Sequence, residues 1–476
     1  MPGGCSVYRF GPFELDAPRG RLFRGATRVE VRESQFAILL RLVSHAGEVV
    51  AKDDLVNSAW RTAVMDNSLD QAISRLRKIL GSAADGMRYI ETVPNRGYRF
   101  AVPVERAQRN QPDASSDPQL APFRAFVRGQ ADLDTLDRDA ILRARREFEK
   151  ALRETPDYAD AHIGLANASA FAYEATRADL EPDVASLQLA IDHALKACEL
   201  EPTSADAWST RAFAACLNGD AQDAEAAACK AVELDSSDWR HAMRLAYVSW
   251  GGARLRAAQR VLRLCPGLAL AYYLVATVFV ARQAFDAALE LLEEGCAAQD
   301  AQAATTSGYP GVGLHLHRAR VLAAIGDVEH AIDELTRELH APHNGHLYAR
   351  ECIANTWYTL GALRQRQGRR DESMTAFKQA LLVLPGHLSA TAAIGGDPPS
   401  ARHRQDPRTI DGAVAQAVGL ARAGRHQDAA QTCADALTQA PPGPAGWLLP
   451  AEPTLNPTAR PEIWAPALAI LRHRAI

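Results

Sequence analysis

Residues 68–80 read SLDQAISRLRKIL, and residues 88–100 read RYIETVPNRGYRF. In the first stretch Leu69, Ala72, Ile73, Leu76 and Leu80 recur at helical spacing and make one apolar face. Asp66, Asn67 and Ser68 stand at its start and are good N-cap residues. The opposite face carries Asp70, Gln71, Ser74, Arg75 and Lys78, with Arg77 at its edge. Amide, hydroxyl and basic groups mixed in this way can meet both base edges and phosphates in a DNA major groove. The second stretch alternates as a strand through Tyr89, Glu91 and Val93. It turns at Pro94-Asn95-Arg96-Gly97 and returns through Tyr98, Arg99 and Phe100.

The residues upstream complete a small domain. Val7–Leu15 reads as two strands broken by Gly11-Pro12, and Arg21–Arg24 and Thr27–Val31 as two more around Gly25-Ala26. A helix is expected from about Ser34 to Ser44, stopped at His45-Ala46-Gly47. Val49-Val50 is a short apolar link, and Lys52–Trp60 a second helix ahead of an irregular loop at Arg61–Met65. Strands, three helices and a basic hairpin are the plan of a winged helix. Several blocks, in this order and spacing, resemble the OmpR/PhoB-type winged helix-turn-helix domain, the output domain of many bacterial response regulators. They are FGPFELD (Phe10–Asp16), RGRLFR (Arg19–Arg24), VSHAGEVVAKDDLVNSAW (Val43–Trp60), DNSLDQAISRLRKIL (Asp66–Leu80) and YIETVPNRGYRF (Tyr89–Phe100).

The resemblance implies that helix 68–80 enters the major groove and that hairpin 89–100 lies along the minor groove or backbone. It assigns base reading to the exposed face with Ser68, Asp70, Gln71, Ser74 and Arg75, and includes Asn67 at the helix start. Arg77 and Lys78 become phosphate contacts, and Thr92, Asn95, Arg96 and Tyr98 the contacts of the wing. Ser74 stands where the family often has a basic residue, which implies either weaker direct reading or a different base preference there. Trp60, Phe36 and Ile73 are assigned to the core. Phosphorylation-driven members carry a receiver on the N-terminal side. This chain starts directly with the winged helix, so control is expected from elsewhere.

Charge agrees with that division. Residues 1–106 hold 16 Lys+Arg against 12 Asp+Glu, although the whole chain is at −4. A basic head on an acidic body suits a first domain that meets a polyanion. No charged and apolar leader opens the chain. The most apolar run, Leu268–Ala281, has 14 residues, short of the roughly 20 that a membrane span needs. The eight cysteines form no C-x-x-C pair and are expected to be reduced, buried thiols of a cytoplasmic protein.

After a polar, Pro-rich connector at 107–125, a recurring frame fills residues 126–440. It reads Ala144-x3-Phe148-x2-Ala151-Leu152-x3-Pro156. It returns at Ala190, Ala194 and Ala197, at Ala224, Ala228 and Ala231, at Phe377, Ala380 and Leu381, and at Ala429, Cys433 and Ala436. Small residues let two antiparallel helices cross closely, a large one fills the neighbouring hole, and proline ends the unit. This resembles tetratricopeptide repeats, roughly seven or eight of them, stacked because one unit cannot bury its own face. Gly164–Val184 and Ala297–Gly313 exceed the repeat period and are expected insertions. Residues 441–476, with Trp447, Leu448, Trp464, Leu468 and Leu471, are expected to cover the open end of the last repeat.

No phosphate-binding, dinucleotide, zinc-protease or nucleophile-elbow motif occurs. The histidine clusters His315/His317 and His340/His343/His346 lack a completing ligand set. The expected architecture is therefore multidomain: an N-terminal α+β winged helix-turn-helix at 1–106, then an all-α tetratricopeptide-repeat solenoid. The expected function is a non-enzymatic, one-component transcriptional regulator without cofactor or metal, acting on double-stranded DNA away from any membrane. The repeat groove would take a protein, a peptide or a small effector, although no Arg/Lys-rich carboxylate clamp is evident. A homodimer or tandem binding is expected, since one winged helix covers few base pairs. The alternative is a repeat scaffold whose winged helix binds protein instead of DNA.

Overall fold

The structure is a computed structural model that describes residues 6–16, 21–25, 27–29, 31, 33–52, 54–55, 67–81, 88–93, 96–108, 121–303, 309–342, 345–396 and 409–476. The chain divides into two compact units, Met1–Asp117 and Pro118–Ile476.

The first unit opens with β1 (Ser6–Phe10), β2 (Phe13–Asp16), β3 (Arg21–Arg24) and β4 (Thr27–Val29). Then come α1 (Glu33–Ser44), β5 (Val49–Val50), α2 (Asn67–Leu80), β6 (Ile90–Val93), β7 (Gly97–Phe100) and β8 (Glu105–Gln108). Five strands form one antiparallel sheet in the order β4-β3-β2-β1-β8, and three form a second, β5-β7-β6. β1 and β2 meet with Phe10 opposite Phe13, so the turn is only Gly11-Pro12. Gly11 has a φ of +53°, and a side chain there would run into the Tyr89 hydroxyl. Phe10, Phe13, Tyr89 and Phe100 stack with centroids 5.0 to 6.1 Å apart and join the two sheets. Leu39, Leu42, Leu69, Ile73, Leu76 and Leu80 from α1 and α2 complete the core.

Two boundaries differ from expectation. Strand β8 pairs with the free edge of β1, Val7 opposite Ala107, so the first two residues of the expected connector belong to a sheet. ERAQ has no alternation to announce a strand; an edge strand gains its place from backbone pairing alone. The helical unit also begins at Ala121, ahead of residue 126. Of the helix expected at Lys52–Trp60, Lys52, Asp54 and Leu55 are helical, and 56–60 lie outside the described residues.

The second unit is all helical. Its helices are α3 (Ala121–Leu133), α4 (Arg138–Glu154), α5 (Ala159–Glu174), α6 (Val184–Leu200), α7 (Ala205–Leu217), α8 (Ala221–Leu234) and α9 (Trp239–Val248). They continue as α10 (Gly251–Leu264), α11 (Ala269–Ala281), α12 (Phe285–Ala303), α13 (Leu314–Ala324), α14 (Val328–His340), α15 (Ala349–Arg366) and α16 (Arg370–Val383). The last are α17 (Leu388–Ile394), α18 (Thr409–Arg422), α19 (His426–Gln439) and α20 (Pro461–Arg474).

Consecutive helices pair as hairpins, α3 with α4 through α15 with α16. The first helices of successive hairpins also touch, α5 to α7 to α9 to α11 to α13 to α15, and so line the inside of the curve. Phe148 shows why the frame needs small residues. It is fully buried, and a side chain at either Gly129 or Gly164 would collide with its ring. Gly361 stands in the same relation to Phe377 further along the array.

The array also closes on itself. The segment before α15 returns to the turn between α3 and α4: Leu347 N–H donates to Leu136 O at 2.9 Å and Arg138 N–H to Gly345 O at 3.0 Å. The Arg177 guanidinium reaches the Glu351 carboxylate at 3.0 Å, Tyr348 donates to Glu174 at 2.6 Å, and Arg350 pairs with Asp179. Both expected insertions take part, since Arg177 and Asp179 follow α5 and Tyr309, just ahead of α13, donates its N–H to Asp134 O at 3.0 Å.

The C-terminal segment does more than cover the last repeat. Trp464 is fully buried and packs with Phe377, Leu437 and Leu471. Trp447, however, reaches back to the inner helices and packs on Tyr273 of α11 and His317 of α13, centroids 6.0 and 5.3 Å away. Glu452 follows it inward, accepting from the Tyr358 hydroxyl at 2.6 Å and the Thr454 N–H at 3.1 Å. Burial raises the Glu452 pKa. A Pro-rich segment suits this course, because it makes few demands for helical or ladder hydrogen bonds.

Gly97 has a φ of +139°, and a side chain there would meet the Val50 carbonyl across the β5–β7 ladder. Gly97→Ala is expected to destabilise the first unit by about 1–3 kcal/mol. The measurement is amide exchange: protection should fall at Val49–Val50 and Gly97–Phe100, and unchanged protection would contradict the argument. His317 is half-buried between Tyr273 and Trp447, and burial, with Arg320 beside it, pushes its pKa down to about 3. An unfolded ring takes its proton near 6.5, so between those values the unfolded chain binds the extra proton and stability falls as pH drops. His387 acts in the same direction, lowered to about 4. Melting temperature should decline from pH 6.5 to pH 4, and less steeply in His317→Phe.

Candidate nucleic-acid interface

α2 runs from Asn67 to Leu80, with Leu69, Ala72, Ile73, Leu76 and Leu80 all buried. That single apolar stripe fixes the rotation of the helix and leaves Ser74, Arg75 and Lys78 exposed. Ser68, Asp70 and Gln71 follow Asn67 in the first turns; the side chains of these four lie outside the described part of the structure, as does Asn95 entirely. On the hairpin Thr92 and Arg96 are exposed, and Arg96 N–H closes the turn onto Val93 O at 3.1 Å.

The cations divide into two kinds. Among the described residues Arg75, Lys78 and Arg96 are exposed and carry no side-chain hydrogen bond or ion pair. Gln71 and Ile79 stand four residues to either side of Arg75, so no acid is placed for an i,i+4 pairing with it. Arg88, at the foot of the hairpin, is exposed and unpaired in the same way. Sequence reasoning passes it over because it precedes the alternating residues. Arg99 is different: its guanidinium is paired with Glu91 across the hairpin at 2.7 Å.

Arg77 is half-buried and turned inward. Its Nε donates to Ile90 O at 3.0 Å and its Nη2 to Thr92 Oγ1 at 2.8 Å. The guanidinium also lies 5.9 Å from the centre of the Tyr98 ring. Arg77 thus ties α2 to β6, and the hairpin is held at a fixed place beside the helix. Tyr98 must be withdrawn from the expected contacts. It is 5% exposed and belongs to the core, because β7 turns residues 98 and 100 to the same buried face. Thr92 is exposed, but its hydroxyl already accepts from Arg77.

In the helical unit the histidine clusters suggested by the sequence do not assemble. His315 and His317 leave α13 in different directions, and His317 goes to Trp447. His340 is exposed with Nδ1 2.7 Å from Thr336 O, His346 is buried beside Tyr348, and His343 lies outside the described residues. What does assemble is Cys296, His315 and Glu334, whose ligating atoms lie within 4.8 Å of one another beside a cavity of about 270 Å³. His315 Nδ1 is 2.6 Å from Glu334 Oε2, and Nε2 is 3.1 Å from Asp300 Oδ1. Burial opposes the imidazolium, but hydrogen bonds to Cys296, Glu334 and Asp300 outweigh it and hold the pKa up to about 11. Glu334 also takes Arg318 at 2.9 Å and Arg337 at 3.2 Å. Three positive groups already satisfy its carboxylate, so a divalent cation would have to displace a proton and face two guanidiniums. The arrangement is an ion-pair network that joins α12, α13 and α14.

Comparisons with known proteins fall on the two units separately. Residues 26–100 match the family described as transcriptional regulatory protein, C terminal, and residues 193–226 match a tetratricopeptide-repeat family. The transcriptional regulator HilA of Salmonella typhimurium is 40% identical over 105 residues, 22% of this chain and 19% of that protein. The transcriptional activator CadC of Escherichia coli is 32% identical over 100 residues, 21% of this chain and 20% of that protein. The DNA-binding domain of Klebsiella pneumoniae RstA, solved in complex with the RstA box, is 36% identical over 20% of this chain and 96% of that one, with a TM-score of 0.18. The chain spans about a fifth of the length of the curated relatives it matches.

Arg77→Met keeps the aliphatic stem and removes both hydrogen bonds to the hairpin. It is expected to cost about 1–3 kcal/mol, with faster amide exchange at Ile90–Thr92. Wild-type exchange in that strand would show that Arg77 does not hold the hairpin.

Proposed function

From an OmpR/PhoB-type winged helix ahead of tetratricopeptide-like repeats, we propose that this chain is a one-component transcriptional regulator. α2 enters the major groove of promoter DNA and the β6–β7 hairpin follows the adjoining backbone. The observation that carries this reading is the set of exposed, unpaired cations: Arg75 and Lys78 on α2, and Arg88 and Arg96 on the hairpin. An unpaired surface guanidinium can meet a phosphate or a guanine edge without first breaking a bond within the protein. Ser68, Asp70, Gln71 and Ser74 join Arg75 in base reading, with Asn67 at the start of the helix, and Asn95 is a contact of the wing. Lys78 and Arg96 serve as phosphate contacts, and Arg77 and Thr92 act as the brace between the two parts.

The repeat unit supplies control by binding a protein, a peptide or a small effector, and a homodimer would extend the footprint over two half-sites. Among the described residues no helix is long and apolar enough to cross a membrane. We place the action in the cytoplasm, where a promoter is reached directly.

The test is an electrophoretic shift of the full chain on duplexes selected from genomic fragments, across a salt series. The Arg75→Ala, Arg96→Ala double variant should bind at least about tenfold more weakly. The slope of log affinity against log salt should fall by about one for each phosphate that is no longer neutralised. Unchanged affinity and slope would favour a scaffold whose winged helix binds protein.

A further inference from the structure

Arg244 lies on α9, half-buried, with its guanidinium carbon 3.9 Å from the centre of the Phe213 ring. Among the described residues its side chain has no hydrogen bond and no ion pair. The phenols of Tyr309, Tyr247 and Tyr348 and the Cys216 thiol lie near it, the Glu174 carboxylate beside them is taken by Arg177 and Tyr348, and burial lowers the Arg244 pKa from the usual arginine value. Nearby arginines are not left in this state. Arg177 holds Glu351 and Glu174. Arg254 donates to the carbonyls of Ala246, Ser249 and Tyr247 and to Thr277. Arg320 donates to Thr359 and Asn355. A guanidinium withdrawn from water without a counter-charge is unfavourable, and one aromatic face offsets only part of that cost.

The surroundings of Arg244 are brought together by the closure of the array. Tyr247 is one turn along α9, Tyr348 stands at the start of α15, and Tyr309 precedes α13. All three are half-buried against one apolar cluster. Among the described residues the Tyr247 hydroxyl carries no hydrogen bond, whereas the Tyr348 hydroxyl is held by Glu174. Tyr309 has a φ of +58°, a left-handed backbone that costs an ordinary residue roughly 1–2 kcal/mol. Its N–H bond to Asp134 O and its edge contact with Trp239, centroids 5.5 Å apart, keep the ring there. One half-buried positive charge and the rings of Tyr247, Tyr309 and Tyr348 belong to one cluster drawn from three separate elements, in which Arg177 lies 5.4 Å from the centre of the Tyr348 ring and Arg240 6.0 Å from that of Tyr309.

We propose that Arg244 is the anion-binding group of a small-molecule site on the inner face of the repeats, and that its ligand is a small aromatic carboxylate. The carboxylate accepts from the Arg244 guanidinium and from the Tyr247 hydroxyl. The ring of the ligand lies among Tyr309, Tyr348 and Tyr247. Binding supplies a counter-charge that Arg244 has from none of the described residues. This rests on the regulatory reading only in making the ligand an effector; the site itself does not depend on DNA binding.

The experiment is calorimetric titration of the full chain with benzoate, in the absence of DNA, with benzamide and acetate as controls. Benzoate should bind saturably at one site, and benzamide, which lacks the charge, and acetate, which lacks the ring, at least about tenfold more weakly. Arg244→Gln should abolish benzoate binding while leaving the ligand-free melting temperature unchanged or higher, because an uncompensated charge has been removed. Tyr247→Phe should weaken benzoate about tenfold at unchanged melting temperature. Absence of benzoate binding, equal binding of benzamide, or full binding by Arg244→Gln would overturn the proposal. So would a marked drop in the stability of Arg244→Gln, which would make Arg244 a structural residue. Because no DNA is present, none of these failures bears on the first unit.

Discussion

The Arg77 side chain spans the gap between α2 and the hairpin, donating to Ile90 O and Thr92 Oγ1. Its near neighbours on the same helix, Lys78 and Arg75, have no side-chain partner among the described residues. An arginine has five donors and one fixed charge, and a fold that engages them leaves little for a ligand. This allocation organises both units. In the first, one guanidinium is turned inward so that the helix and hairpin keep their spacing, and the others stay outward. In the second, Arg177 closes the array by bridging to Glu351, while Arg244, 3.9 Å from the centre of the Phe213 ring, has no carboxylate partner among the described residues.

Packing sets the frame in which that allocation occurs. Phe148 fits because Gly129 and Gly164 carry no side chain, and the hairpin ladder fits because Gly97 lets the Val50 carbonyl approach. Helices that cross closely stack in register, and stacking in register places the first helix of each hairpin on the inside of the curve. The inner helices then carry the polar groups that close the array, and the tail brings Trp447 and Glu452 onto the same helices.

The apolar face of α2 is legible in the sequence down to each residue. Leu69, Ala72, Ile73, Leu76 and Leu80 follow one period, and the partner they require is any apolar surface. Tyr98 misleads because a hairpin has two faces, and alternation alone does not say which one meets the core. Burial of Phe100 on the same face decides it. Strand β8 is hidden because ERAQ contributes backbone and little else. The closure of the repeats escapes sequence reading for another reason. Arg177 and Glu351 are 174 residues apart, and neither side chain departs from what a solvated helix end would carry. The same holds for Arg244, whose lack of a partner exists only in three dimensions.

The most direct test of the central claim, that unpaired cations on α2 and the hairpin meet duplex DNA, is an arginine footprint. The full chain, alone and bound to a selected duplex, is treated with an arginine-reactive dicarbonyl reagent, and modification is read by mass spectrometry. The account predicts that Arg75 and Arg96 react in the free chain and become protected on the duplex, while Arg77, engaged by the hairpin, reacts slowly in both states. Equal reactivity of Arg75 and Arg96 with and without bound DNA would contradict it.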